Sequence, residues 1–158
     1  AKADVADRVD DLKVTLKENI EIGEIVRFEK SGDLMDSYLH IQEGRGVNAA
    51  LLELACGTQD LAHDLALHVA FKRPPYLTRD LVPEAEIAEE RALLEAETRN
   101  EGKPEQAIEK IVEGKLQGRF FADRVLLDQK FVRDESQTIA ALLGDATVVR
   151  FAQVVIGA

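Results

Sequence analysis

The sequence is poor in the residues that carry out chemistry. It has one cysteine, Cys56, and three histidines, His40, His63 and His68. A single cysteine excludes an intramolecular disulfide and fits a reducing compartment. Positive charge is also in short supply. Lys and Arg number 20 against 30 Asp and Glu, for a formal net charge of −10. That balance argues against general affinity for nucleic acid or anionic membrane, both of which favour basic surfaces. No apolar run approaches the roughly 18 residues of a membrane-spanning helix, and no signal-peptide pattern occurs. A glycine-rich phosphate loop is missing too, because Gly44-Arg45-Gly46 lacks the lysine and the spacing.

Candidate catalytic sets are equally sparse. His63 and His68 stand five apart and do not share a helix face as a metal pair four apart does. Cys56 closes an apolar run, where a buried, inert thiol is the default. Glu84, Glu86, Glu89 and Glu90 spread around a helix and read as a solvated face.

What is present is a core and a clear order of elements. Apolar residues make up 46% of 158, enough for one domain with a buried interior. Residues 4–18 have helical spacing through Val5, Val9, Leu12 and Leu16. The β-branched run 20–29 predicts a strand, and 30–33 a turn. Leu34–Gln42 predicts a second strand with Leu34, Tyr38 and His40 on one face, and 47–56 a third. Thr58 is a good N-cap for a helix over Gln59–Lys72, which Pro74 and Pro75 stop. Its main stripe is Leu61, Ala62, Leu65, Ala66 and Val69, with His68 at the edge and Leu67 and Phe71 opposite.

Two further helices flank Gly102-Lys103-Pro104, a helix stop followed by a helix start. The first carries Ile87, Leu94 and a series of small residues, Ala85, Ala88, Ala92 and Ala96, suited to close approach by the second. The second repeats Ala107, Ile108, Ile111, Val112 and Leu116. Together, over about 83–121, they predict a projecting helical hairpin. Residues 135–144 predict a short helix, and 147–157 a final strand. The expected class is α+β: an antiparallel sheet of three to four strands, packed helices and an inserted hairpin. The expected division is a leading helix over 1–19 and a core over 20–158. The chain opens on Ala1 rather than Met, which suggests a processed or truncated product.

Several segments resemble one family, elongation factor Ts. LALHVAFKRPPYL (residues 65–77) resembles its AMHVA…P.YL segment, and LLELAC (51–56) its LVELNC segment. Val82-Pro83, EGKPE (101–105), EKIVEGKL (109–116), LLDQKFV (126–132) and the closing VVRFAQVVIG follow in the family's order. LKENIEIGEIVRFE is similar to its IGENI segment. The resemblance implies a guanine-nucleotide exchange factor for the GTPase elongation factor Tu, met in its GDP-bound and nucleotide-free states. It implies no catalytic side chain, no cofactor and no metal, because exchange is a coupling of two binding equilibria. It also implies no direct nucleic-acid or membrane contact, and a bacterial cytoplasmic setting, with mitochondria and plastids using the same factor.

Residue by residue, His68 matches the family histidine at the partner interface. Phe131 and Val132 match a PFV segment that meets the partner, with Lys130 in place of the proline. Asn48 and Ala49 fall where the family has an apolar residue and a glycine, also at the interface. The family's N-terminal three-helix domain and its TDFV segment have no counterpart in these 158 residues. Two other readings compete: a module that docks on the GTPase or self-associates through the hairpin without stimulating exchange, and an enzyme using His40, His63 or His68.

Overall fold

The computed structural model describes residues 2–157. Its described residues divide into two compact units, one of 2–28 with 156–157, the other of Glu29–Val155. The first unit contains helix α1, Lys2–Leu16, whose Val5, Leu12 and Leu16 are all exposed. Lys17 takes a left-handed backbone (φ 55°) and ends it. Residues 20–28 have no regular secondary structure, so the strand expected over 20–29 does not form. β-branched residues favour a strand only where a neighbouring strand supplies hydrogen bonds and packing. Among the described residues no named strand pairs with the run, and Ile22 and Ile25 are exposed.

The second unit is built on strands β1 (Leu34–Gln42) and β2 (Arg45–Ala55). They form an antiparallel hairpin that pairs Gln42 with Arg45. Its two-residue turn, Glu43 and Gly44, has positive φ at both positions (51° and 77°), the geometry that matches strand twist. Helix α2, Gln59–Lys72, follows as expected. The Thr58 hydroxyl accepts the Leu61 N–H at 3.2 Å, and Arg73 closes the helix in the left-handed conformation.

The helical hairpin consists of α3, Glu84–Asn100, and α4, Glu105–Lys115. Gly102 at φ 71° makes the corner. α4 runs on into a π-helical turn over Leu116–Phe121. Leu94, Ile108, Val112, Leu116, Phe120 and Phe121 are buried between these segments, with Ile87 against them. The hairpin closes on that face and not on the alanines: Ala85, Ala88, Ala92 and Ala96 all point to solvent. The larger apolar area lies with Ile87 and Leu94, and burial follows area. Thr98 is buried by donating to the Leu94 carbonyl at 2.6 Å while the Lys115 ammonium donates to its hydroxyl at 3.2 Å.

Past the hairpin, β3 (Lys130–Phe131) pairs with β4 (Asp134–Thr138). Helix α5, Ile139–Leu143, and strand β5, Thr147–Val155, complete the chain. The helix expected over 135–144 is therefore half strand. The Thr138 hydroxyl accepts the Ala141 N–H at 3.2 Å and starts the helix only there. β5 pairs antiparallel with β2, giving a three-stranded sheet in the order β1-β2-β5. The class is α+β.

Alternation along β2 sets the layers. Asn48, Ala50, Leu52 and Leu54 face α2 and are buried with Leu65, Ala66 and Val69. Glu53 lies on the other face with no accessible surface. Its carboxylate accepts the Gly32 N–H at 2.6 Å, the Ser31 N–H, and the Arg150 guanidinium at 2.7 Å. These donors hold its pKa down to about 2 against an ordinary 4.5, the Gly32 N–H contributing most and the Ser31 N–H next, with burial opposing them. The pair fastens the turn at 30–33 to the sheet. Cys56 departs from the expected buried thiol. It is exposed, in a left-handed turn at φ 60° after β2 has ended.

Candidate functional site

α2 positions the residues of interest because its broad apolar face lies on the sheet. His68, expected at the edge of the stripe, is inside it and has no accessible surface. Its Nδ1 accepts the Val132 N–H at 3.2 Å, which makes Nε2 the protonated nitrogen. Nε2 then donates to Oε1 of Gln129 at 2.9 Å. The Gln129 amide donates in turn to the Asp123 carbonyl at 2.5 Å. Burial pushes the histidine pKa below its ordinary 6.5, against the Gln129 hydrogen bond. His68 is thus a neutral bridge. It ties α2 to the 129–132 segment across 64 residues of sequence.

Phe131 lies 6.1 Å from the His68 ring, centroid to centroid, and is buried. Val132 is half-buried. The structure therefore brings His68, Phe131 and Val132 together. Gln129, at the centre of this node and 2% exposed, is a residue that helical or strand periodicity does not mark. A glutamine inside the apolar run LLDQKFV was the available signal, since a buried amide needs partners.

Asn48 and Ala49 do not share a surface. Asn48 faces α2 and is buried; its amide donates to the Ala70 carbonyl at 2.6 Å and its oxygen accepts from Gln153 at 3.1 Å. Ala49 projects from the opposite face of β2 and is half-buried. Asn48 meets α2 two residues beyond His68, at the end of the helix.

That end carries an aromatic cluster. The Tyr38 ring lies 6.4 Å from His40, 6.3 Å from His63 and 6.5 Å from Phe71. His63 faces Asp36 at 3.3 Å. His40 and His63 thus flank one tyrosine, while His68 belongs to the separate buried node. Among the described residues no three His, Cys, Asp or Glu side chains group as metal ligands would.

The family described as "Elongation factor TS" matches residues 1–158. The chain belongs to the elongation factor Ts family. A protein of Deinococcus radiodurans named "Elongation factor Ts" is 45% identical over 141 residues, 89% of this chain and 51% of the relative. The proteins of that name from Deinococcus deserti and Acidothermus cellulolyticus are each 43% identical, over 141 and 160 residues. The second alignment covers 97% of this chain and 56% of the relative. The chain spans about half the length of the curated relatives it matches. Among the described residues no helix is long and apolar enough to cross a membrane.

Proposed function

We propose that this chain docks on elongation factor Tu and serves guanine-nucleotide exchange during translation elongation in the bacterial cytoplasm. The observation that carries this reading is the family match across residues 1–158. Exchange requires no catalytic side chain, so the chain is read as no enzyme. A partner that favours the nucleotide-free GTPase must weaken nucleotide binding by the same factor. A thousandfold weakening takes about 4 kcal/mol of contact made better in that state.

The docking surface in this reading includes Val132 and its surroundings at the C-terminal half of α2. His68 and Phe131 support that surface from beneath. The neutral imidazole fixes the backbone N–H of Val132, and so the direction in which its side chain points. Asn48 plays the same part for the end of α2 through the Ala70 carbonyl. Ala49 belongs to a second patch on the far face of the sheet.

The test is release of a fluorescent GDP analogue from purified elongation factor Tu, with and without this chain, beside a direct binding titration. Binding with accelerated release is the expected signature of exchange. Binding without acceleration would leave a docking module. The absence of any binding would refute the reading.

A further inference from the structure

The end of α2 carries an open cup of about 150 Å³, lined by Tyr38, His40, Asn48, Ala70, Phe71 and Arg73. A cavity of that size holds a benzene-sized group. Its floor is satisfied, because both ends of the Asn48 amide are hydrogen-bonded. Its rim is not. Phe71 is 57% exposed although its ring stands 6.2 Å from His40 and 6.5 Å from Tyr38. Arg73 is exposed and, among the described residues, has no carboxylate partner. By contrast Arg79, Arg91, Arg99, Arg124, Arg133 and Arg150 are all paired with acids.

The cup also runs against the charge of the chain. The formal net charge is −10, yet none of the six lining residues is acidic. An exposed phenylalanine beside the half-buried Tyr38 and a guanidinium with no carboxylate partner among the described residues has the composition of an interface hot spot. A guanidinium pairs best with a carboxylate, which it grips through two N–H groups. A long polyanion such as nucleic acid would instead meet the negative remainder of the surface.

We propose that this cup receives an acidic protein segment, with an aspartate or glutamate on Arg73 and an adjacent apolar side chain against Phe71 and Tyr38. The inference rests on the docking reading above for the identity of the partner, and supplies the chemistry of one contact. Phe71 and Arg73 project from the end of α2 into solvent, so changing them leaves the core intact.

Two measurements test it on the intact chain. In the first, isotope-labelled chain is titrated with an acidic peptide of alternating Glu, Leu, Asp and Phe, followed by nuclear magnetic resonance. A control peptide carries Lys in place of each acid. The Phe71, Tyr38 and Arg73 signals should move with the acidic peptide only, and Arg73→Glu should abolish the shifts. No shifts, or equal shifts with the lysine peptide, would overturn the proposal. In the second, binding to elongation factor Tu is measured for the natural chain, Phe71→Ala and Arg73→Glu. Each variant should bind about 30-fold more weakly, the loss of a hot spot, with unchanged circular dichroism. Equal affinities would overturn the cup and leave docking standing. Failure of the natural chain to bind, with the peptide shifts present, would remove the docking reading and leave the cup. If Arg73→Glu instead converted a dimer to a monomer in sedimentation, the occupant would be a second copy, and the proposal would fall.

Discussion

Replacing His68 by alanine is the perturbation with the clearest arithmetic. The side chain has no accessible surface and bridges Gln129 and Val132. Removing it leaves the buried Gln129 acceptor without its partner, at about 1–3 kcal/mol before any relaxation, and the half-buried Val132 N–H without its own, at a smaller cost because water reaches it more easily. It also opens a hole, and large-to-small changes in cores cost about 2–5 kcal/mol. Water entering a polar hole recovers part of this. A net loss of about 3–5 kcal/mol is expected, against a total stability of about 5–15 kcal/mol for a domain. For a chain of this size that is roughly a 10 °C fall in the thermal midpoint. Guanidinium unfolding with an unchanged slope is the assay.

His68→Ala is thus expected to lose fold and partner binding together, whereas a surface histidine would lose binding alone. Weaker binding with a midpoint within about 2 °C of the natural chain would refute this reasoning. pH gives a second readout. The native pKa lies below the ordinary 6.5, so the unfolded chain takes up a proton that the folded chain refuses. The contribution is complete above pH 6.5 and shrinks as pH falls, by at most about 1.4 kcal/mol per unit, until the native imidazole protonates. His68→Ala should abolish that slope.

Two other outcomes follow from single residues. Glu53 has its native pKa held at about 2 against 4.5, so its contribution is present above pH 4.5 and is lost as pH falls towards 2. Glu53→Gln should flatten the pH dependence of urea unfolding in that window; parallel profiles would refute the role of the Gly32 and Ser31 N–H groups. The exposed Cys56 should react with a thiol reagent in the native chain, one thiol per chain and as fast as in denaturant; a protected thiol would contradict the left-handed turn that exposes it.

Elements defined by their own ends were legible in the sequence. α2 begins at its Thr58 cap and stops before Pro74 and Pro75, and the structure gives Gln59–Lys72. The hairpin corner at Gly102 and the strands β1 and β5 carry equally local signals. Caps, stops and turns act over one or two helical turns, so nearby residues suffice to specify them. Whatever needed a distant partner was decided by tertiary structure. The run 20–29 has strand composition but belongs to neither sheet among the described residues. α3 has two candidate faces, and contact with Ile108 and Val112 selected the side of Leu94 over the alanines. Residues 134–138 became a strand by pairing with Lys130–Phe131. His68 shows the same division. Its place on α2 follows from helical spacing, but its burial depends on Gln129 and Val132, more than 60 residues away. Periodicity reports which side chains share a face; only the folded chain determines what that face meets.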